Sequence, residues 1–109
     1  MPRKTIVVLT LALIALSFAA QSDDEKARTV TIKNLKYNPG KITIKAGETV
    51  AWVNADDNDH TVTSDDKDGF ASDNLAHGDK FRHTFEKKGT FPYHCKYHPR
   101  MKGVVIVSE

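Results

Sequence analysis

Three residues with metal-binding side chains lie close together near the end of this 109-residue sequence. Cys95, His98 and Met101 are spaced three residues apart, in a segment that we expect to leave one strand and enter the next. A thiolate, an imidazole and a thioether are the soft and borderline ligands that select copper. The spacing therefore predicts a copper site in this segment.

A fourth ligand must come from elsewhere in the chain, and His60 is the candidate. It opens a predicted strand after the polar loop of residues 54–59, so it could meet the Cys95 segment at one end of a sandwich. Two imidazoles, one thiolate and a weak axial thioether form the ligand set of a blue-copper electron-transfer site. The predicted ligands are thus His60, Cys95, His98 and Met101.

Other interpretations of these residues stay open at this point. A Cys-x-x-His spacing alone is weak, and a lone methionine more often fills a core. Zinc also accepts one cysteine and two histidines, although a thioether is a poor zinc ligand. A metal-free sandwich that serves as an interaction module leaves unexplained why Cys95 and Met101 share one ligand-spaced loop.

The remaining histidines and one acidic run are assigned lesser roles. His94 precedes Cys95 in a strand and should point to the opposite face. We expect His83 to be packed and hydrogen-bonded, and His77, in an irregular loop, to be solvated. The acidic run of residues 56–59 lacks the glycine and the distal glutamate of a calcium loop, so we interpret it as a polar turn.

The elements that must position the ligands have the pattern of β-strands. Short runs of alternating apolar and polar residues, including Leu35 with Tyr37, follow one another along the chain with turn signals between them. This pattern is typical of an antiparallel β-sandwich or a small barrel. The least regular stretch, residues 64–79, contains Phe70 and Leu75, which should anchor it to the core.

Composition excludes several classes of protein. With 39% hydrophobic and 28% charged residues, the chain is neither disordered nor fibrous. One cysteine excludes an intramolecular disulfide, and a net charge of +2 is too small to suggest a nucleic-acid binder. We find no Ser/His/Asp arrangement and no phosphate loop, so we expect a monomeric carrier and no enzyme.

The beginning of the chain has the features of a secretory signal. Arg3 and Lys4 precede an uncharged apolar run that ends near a small-residue cleavage site after Ala19. The run has about 13 residues, whereas a spanning helix needs roughly 20. We therefore expect a signal peptide at 1–19, a flexible lead-in at 20–27 and one domain at 28–109, in a periplasmic or otherwise exported protein without a membrane span after processing.

Charge is unevenly distributed along the sequence. Residues 56–79 contain eight acidic residues and one lysine, whereas residues 80–102 contain seven basic residues and one glutamate. Lys96, Arg100 and Lys102 flank the predicted ligand segment. If electrons pass through His98, these charges favour an acidic partner and an association that depends on salt.

Two longer stretches carry a resemblance to a known family, with His60 between them. They are Ile42-x-Ile44-x-Ala46-Gly47-x-Thr49-Val50-x-Trp52-x-Asn54 and Gly89-Thr90-Phe91-x-Tyr93-x-Cys95-x-x-His98-Pro99-x-Met101-x-Gly103. The chain resembles the small blue (type 1) copper proteins of the cupredoxin group, in the plastocyanin/azurin family. The two residues between His98 and Met101 are the amicyanin spacing, and amicyanin is the most similar member.

The resemblance implies a fold and a function. The fold is an all-β Greek-key sandwich of about eight strands, with one copper ion bound at one end by His60, Cys95, His98 and Met101. The function is one-electron transfer through the solvent edge of His98, between redox proteins such as an amine dehydrogenase and a c-type cytochrome. A periplasmic copper-binding protein for storage or delivery is the alternative function.

Two positions depart from the family pattern. Tyr97 stands where plastocyanin and amicyanin usually have proline, so its backbone N–H could donate a hydrogen bond to the Cys95 thiolate and raise the reduction potential. Thr61 follows the first histidine, where asparagine is common, and its hydroxyl could brace the Cys95 loop.

Overall fold

The computed structural model describes residues 27–109 as eight β-strands. The predicted signal peptide at 1–19 and the predicted lead-in, except Ala27, lie outside the described residues. The strands are β1 (Arg28–Lys33), β2 (Lys36–Asn38), β3 (Lys41–Lys45), β4 (Thr49–Asn54), β5 (Thr63–Ser64), β6 (Lys80–Thr84), β7 (Gly89–His94) and β8 (Lys102–Ser108). The expected all-β class and strand number are confirmed, and within residues 27–109 no helix has the length and apolarity to cross a membrane.

Two four-stranded sheets form the sandwich. One sheet has the order β2-β1-β4-β6 and the other has the order β3-β8-β7-β5. The chain passes between the sheets repeatedly, and β1 pairs with β4 and β3 pairs with β8 in parallel. The prediction of an antiparallel sandwich is therefore wrong for these two pairs, because local alternation fixes which side chains face inward but carries no information on strand direction.

The core follows the period-two pattern on which the strand prediction was based. In β1 and β3 the apolar residues occupy buried positions that alternate with exposed polar ones, and in β8 buried and partly buried residues alternate. In contrast, β4 is buried on both faces at Val50, Ala51 and Trp52. Fully burying a side chain of this kind contributes roughly 1.5–3 kcal/mol. The core residues come from both sheets, which holds the sandwich together.

Trp52 lies at the centre of an aromatic cluster. Its ring centroid is 5.4 Å from that of Tyr93 and 6.0 Å from that of Phe70. Phe85 and Phe81 complete its surroundings at 6.5 and 5.7 Å. Phe70 belongs to the irregular stretch, and Leu75 is also buried, so the predicted anchoring of that stretch is confirmed.

The residues between β7 and β8 form a short loop that closes on itself. The Cys95 N–H donates to the Met101 carbonyl oxygen at 3.0 Å, and the Met101 N–H donates to the His98 carbonyl oxygen at 2.8 Å. Because β7 and β8 are hydrogen-bonded neighbours, the loop's two ends are fixed by the sheet. The segment that carries the predicted ligands is thus held by backbone hydrogen bonds.

Leu35 differs from its predicted place in a strand. Asn34 and Leu35 form the two-residue turn between β1 and β2, with φ angles of 56° and 59°. Leu35 is 47% exposed. The alternation of apolar and polar residues from Val30 to Tyr37 is interrupted at Leu35, because the chain reverses direction before it reaches Tyr37.

Candidate metal centre

Three of the four predicted ligands converge at one end of the sandwich. The Cys95 sulfur lies 3.7 Å from Nδ1 of His60 and 3.7 Å from Nδ1 of His98. All three donor atoms lie within 4.8 Å of one another. Cys95 and His60 are fully buried, whereas His98 is partly exposed. The structure therefore brings together residues 35 positions apart in the chain as one compact donor cluster.

Met101 is placed beside this cluster by the loop. Its backbone bonds to both Cys95 and His98, and its side chain is buried, with 5% of the residue exposed. Met101 also lines, with His98 and Pro99, a shallow surface cavity at this end of the molecule. Its assignment as the axial ligand stays a prediction that this placement supports.

Asp56 fixes the orientation of the His60 ring. Its Oδ2 lies 2.9 Å from Nε2 of His60, and both groups are buried. An ionised carboxylate only accepts hydrogen bonds, so Nε2 carries the proton and Nδ1 presents its lone pair toward Cys95. The ring is thus held in the tautomer that a metal requires.

Several hydrogen bonds keep Asp56 ionised. Burial opposes ionisation, but the N–H groups of Leu35 (2.9 Å) and Asn34 (2.7 Å) and the His60 ring outweigh it. Together they hold the pKa of Asp56 below its usual range. The run that we interpreted as a polar turn thus contains a buried anion that contacts a predicted ligand.

The backbone around His60 is also fixed. His60 and Leu75 exchange two backbone hydrogen bonds, of 3.0 and 2.8 Å. The buried Asn54 side chain donates to the carbonyl oxygens of Leu75 and Asn58, both at 2.8 Å. Because buried polar groups stabilise a fold when they are paired, this network holds the polar loop in one conformation.

Thr61 braces the Cys95 loop, as the sequence suggested. Its Oγ1 accepts a hydrogen bond from the Lys96 N–H at 2.8 Å. Its carbonyl oxygen accepts one from the Tyr37 hydroxyl at 2.6 Å. Burial, with smaller contributions from Cys95 and Tyr93, raises the pKa of Tyr37. Thr61 therefore links the segment of His60 to the segment of Cys95.

The hydroxyl of Tyr97 makes a second link between these segments. It donates to Oδ1 of Asn74 at 2.7 Å, and Nδ2 of Asn74 donates to Oδ2 of Asp59 at 3.1 Å. Among residues 27–109, the sulfur of Cys95 contacts the two imidazoles, and the proposed bond from the Tyr97 N–H is not among its hydrogen bonds. Tyr97 therefore acts on the Cys95 loop through its side-chain hydroxyl, which bonds to Asn74.

The donor set fits copper. A fully buried thiol lies between two imidazole Nδ1 atoms, and a buried thioether belongs to the same loop. One sulfur, two nitrogens and a weak second sulfur favour copper over zinc, because zinc binds a thioether poorly. The fixed backbone around these residues would change little between the two oxidation states of a bound copper ion. This cluster suits one-electron chemistry.

The other histidines lie outside the cluster. His94 contacts Oδ1 of Asp65 at 2.6 Å on the opposite side of β7, and His77 is exposed, as predicted. His83 packs against the rings of Phe70 and Phe85, at 4.9 and 4.6 Å. Its predicted hydrogen bond is not seen within residues 27–109.

Two supporting residues escaped the sequence analysis. Asp56 could have been found from its position four residues before His60, but a polar turn gives the same pattern. Asn74, the partner of Tyr97, carries no local signal, because its role depends on a contact across 23 positions. Such contacts arise only when the loops are assembled.

Comparison with known proteins gives a consistent result. The family model described as a cupredoxin-like domain matches residues 5–107. Amicyanin from Paracoccus versutus is 37% identical over 94 residues, covering 83% of this chain and 71% of that protein. Plastocyanin from Scenedesmus fuscus is 34% identical, covering 68% of this chain and 88% of that protein.

A solved structure shows the same similarity in three dimensions. A purple cupredoxin from Nitrosopumilus maritimus superposes with a TM-score of 0.71 at 34% identity. The superposition covers 74% of this chain and 99% of that one. The likeness therefore extends over nearly the whole of that cupredoxin and about three quarters of this chain.

Proposed function

The chain belongs to the family of proteins with a cupredoxin-like domain, and from this premise we propose that it is a one-electron carrier with one type 1 copper ion. The observation that supports the proposal most strongly is the convergence of Cys95 with Nδ1 of His60 and of His98. We assign these three residues and Met101 as the copper ligands. Copper supplies the Cu(I)/Cu(II) couple when it is bound.

The protein contributes a site that is already arranged for the metal. Asp56 holds the His60 ring, Thr61 holds the Lys96 N–H next to Cys95, and the loop bonds place His98 and Met101. Little rearrangement is then needed when the metal changes charge, which favours rapid electron transfer. Four protein ligands would also leave no open position for a substrate, as expected for a carrier and not for an enzyme.

His98 offers the route for electrons to leave the site. It is partly exposed, whereas His60 and Cys95 are fully buried. Leu35, Tyr97 and Pro99 lie around it as an exposed apolar surface. We propose that redox partners dock over His98, and that an amine dehydrogenase and a c-type cytochrome are candidates because of the resemblance to amicyanin.

The test is to add one equivalent of Cu(II) to the apo-protein and record the visible spectrum. We expect an intense band in the red, from charge transfer between the Cys95 thiolate and Cu(II). Cys95→Ser should abolish the band. The matched control is His94→Gln, which alters the neighbouring residue outside the cluster and should leave the band unchanged.

Two other results would overturn the proposal. A colourless protein that binds Zn²⁺ in preference to copper would favour a zinc site. A blue protein that gives up copper to a competing chelator within seconds would favour copper storage or delivery, because a carrier must keep its metal through repeated redox cycles. Slow release on the scale of hours supports the carrier.

We also propose that the protein is exported. Support comes from the basic start and the apolar run of residues 1–19, which lie outside the described residues. Cleavage after Ala19 would give a product beginning at Ala20. The intact mass of the protein recovered from the periplasm tests this cleavage, and a product that retains residues 1–19 would contradict it.

A further inference from the structure

A cavity of about 480 Å³ opens on one side of the sandwich. Residues of β5, β6 and β7 and of the segments that connect them line it, and β5 and β6 are outer strands of the two sheets. None of the four predicted copper ligands lies among the lining residues. Small-molecule sites have volumes of roughly 300–1,000 Å³. The cavity therefore has the size of a ligand site, and the copper chemistry does not use it.

Four aromatic rings line this cavity, and together we call them the aromatic floor. The ring centroid of Phe70 lies 4.9 Å from that of His83 and 5.4 Å from that of Phe85, and Phe91 lies 5.3 Å from Phe85. Phe85 is buried, whereas the other three are partly exposed. The face of an aromatic ring carries partial negative charge and attracts cations. The aromatic floor thus offers apolar contact and a preference for positive charge.

His83 does not oppose this preference. Burial lowers its pKa from the ordinary value of 6.5, because the charged imidazolium is poorly solvated against the neighbouring phenyl rings. At neutral pH the imidazole is therefore uncharged. It contributes a flat ring to the floor and no positive charge that would repel a cation.

The charged side chains around the cavity are mainly acidic. Asp66, Asp68 and Glu86 line it and are exposed, and Lys87 is the basic residue beside them. In the part of the chain that the structure describes, the ion pairs involve other acidic residues. The three carboxylates therefore stay available to a positively charged ligand, and they would repel an anion.

Hydrogen bonds hold the acidic side of the cavity in place. The Ser64 N–H donates to the Phe70 carbonyl oxygen at 2.8 Å, which closes the loop between them. Inside the loop, the carbonyl oxygen of Asp66 accepts the Gly69 N–H at 2.8 Å, and its Oδ1 accepts the Asp68 N–H at 3.1 Å. A methyl group at Gly69 would collide with the Ser64 side chain. The loop is thus fixed before any ligand binds, which lowers the entropic cost of binding.

We propose that this cavity binds a small organic cation, in which an ammonium or trimethylammonium group is joined to an apolar body. The aromatic floor contacts the apolar body and the methyl groups, and the three carboxylates balance the charge. A neutral apolar ligand would gain nothing from the carboxylates. The proposal goes beyond electron transfer and does not depend on it, because the lining residues and the predicted copper ligands are separate sets.

The test titrates the reduced protein with benzyltrimethylammonium and follows the NMR chemical shifts. We expect saturable shifts that are confined to the residues lining the cavity. Phenylmethanesulfonate has the same benzyl group with the opposite charge, so it should bind roughly tenfold more weakly or less. Shifts that do not saturate, shifts spread over the surface, or similar affinities for the two ions would overturn the proposal.

Two acidic residues are exchanged together to test the role of charge. The double variant Asp68→Asn, Glu86→Gln keeps the shape of both side chains and should bind the cation about fourfold more weakly, with the shifts otherwise unchanged. The matched control is Asp57→Asn, Glu109→Gln, which removes two exposed carboxylates outside the cavity. Equal losses of affinity in the two double variants would show that only the net charge of the protein matters.

Phe91→Leu tests the aromatic floor. Leucine keeps an apolar side chain but lacks the ring, so the affinity for benzyltrimethylammonium should fall about threefold. Phe81→Leu is the matched control, because Phe81 is also partly buried against the core but does not line the cavity. Equal affinities of the two variants would contradict a role for the floor. The acidic variants keep the proposal testable if Phe91→Leu fails to fold.

A lysine derivative distinguishes a small-molecule site from a surface that binds a basic protein. N-acetyl-lysine methylamide carries one ammonium group, as a lysine of a partner protein does, and should bind about threefold more weakly than benzyltrimethylammonium. If it binds more tightly, and equally to Phe91→Leu, the small-molecule site is refuted. Absence of the red band with Cu(II) would refute the proposed function alone, because the titration measures binding at a site without copper ligands.

Discussion

Asp56 shows how one side chain can serve a metal site that it does not bind. It orients the predicted ligand His60, carries a negative charge beside the donor cluster and holds a surface turn. A carboxylate that bonds to the distal nitrogen of a ligating histidine increases the electron donation of that ring. The residues that set the properties of this site therefore include at least one outside the four predicted ligands.

Replacing Asp56 by Asn should weaken copper binding and raise the reduction potential. The amide of Asn keeps one acceptor oxygen but loses the negative charge that favours Cu(II). We expect the affinity for copper to fall roughly 10- to 100-fold. Competition with a chelator and voltammetry measure the two effects. Asp57→Asn is the control, since Asp57 is fully exposed, and equal behaviour of the two variants would contradict the role of Asp56.

Tyr97 is expected to slow the release of copper. Its hydroxyl bond to Asn74 ties the loop of Cys95 to the segment that contains His60. A bond of this kind contributes about 0.5–1 kcal/mol, so Tyr97→Phe should release Cu(I) to a chelator roughly two- to fivefold faster. Stopped-flow absorbance follows the release.

A double-mutant cycle provides the control for Tyr97. Asn74→Ala should have an effect of similar size, and the double variant should be no worse than either single one, because both remove the same bond. Fully additive effects would show that the two side chains act independently.

At the scale of elements, the sequence predicted the strands and loops that depend on the local pattern of apolar and polar residues. The strands of Val30, Ile42 and Val105 were found because each has one buried face. The loop of Cys95 was found because its predicted ligands are three residues apart. The parallel pairing of β1 with β4 was missed, since strand direction is set by how distant segments cross between the sheets.

Leu35 illustrates a second limit of the sequence at this scale. Its alternation with Tyr37 predicted a strand, but a carboxylate 21 positions away stabilises a turn there. Local preference was overruled by a long-range hydrogen bond. A residue in disagreement with its local pattern is thus more informative about the assembled site than one in agreement.

Gly103 is required where β8 approaches Tyr93. A methyl group on Gly103 would overlap the ring and the hydroxyl of Tyr93. Tyr93 is fully buried and has no room to move away. Overpacking of this kind costs about 1–3 kcal/mol, which should lower the melting temperature of Gly103→Ala by several degrees. Gly40→Ala is the control, because the added methyl group would meet Tyr37 only at ordinary contact distance. Equal melting temperatures for the two variants would contradict this account.

At the scale of the whole molecule, folding brings the acidic and the basic stretches of the sequence into contact. The acidic stretch meets the basic one where β5 pairs with β7, and Asp65 contacts His94 there. Lys96 and Arg100 stay exposed beside His98. These two exposed cations are therefore available to act on a partner at the end of the molecule that holds the donor cluster.

Stability should also depend on pH through a histidine remote from the metal. His83 packs between Phe70 and Phe85, and burial lowers its pKa from the ordinary value of 6.5. In the folded protein the His83 imidazole is then neutral at a pH at which the same group already binds a proton in the unfolded chain. The stability that neutral His83 contributes is complete above pH 6.5 and is lost as the pH falls below that value.

Urea unfolding of the parent and of His83→Gln at pH 7.5 and pH 5.5 tests this linkage. The parent should lose more free energy of unfolding between the two pH values than the variant does, because glutamine cannot take up the proton. Comparing differences removes the contributions of His60 and His98, which both proteins share. His77→Gln, which alters an exposed histidine, should keep the pH dependence of the parent. If His83→Gln also keeps it, the buried imidazole is not the group that couples folding to pH.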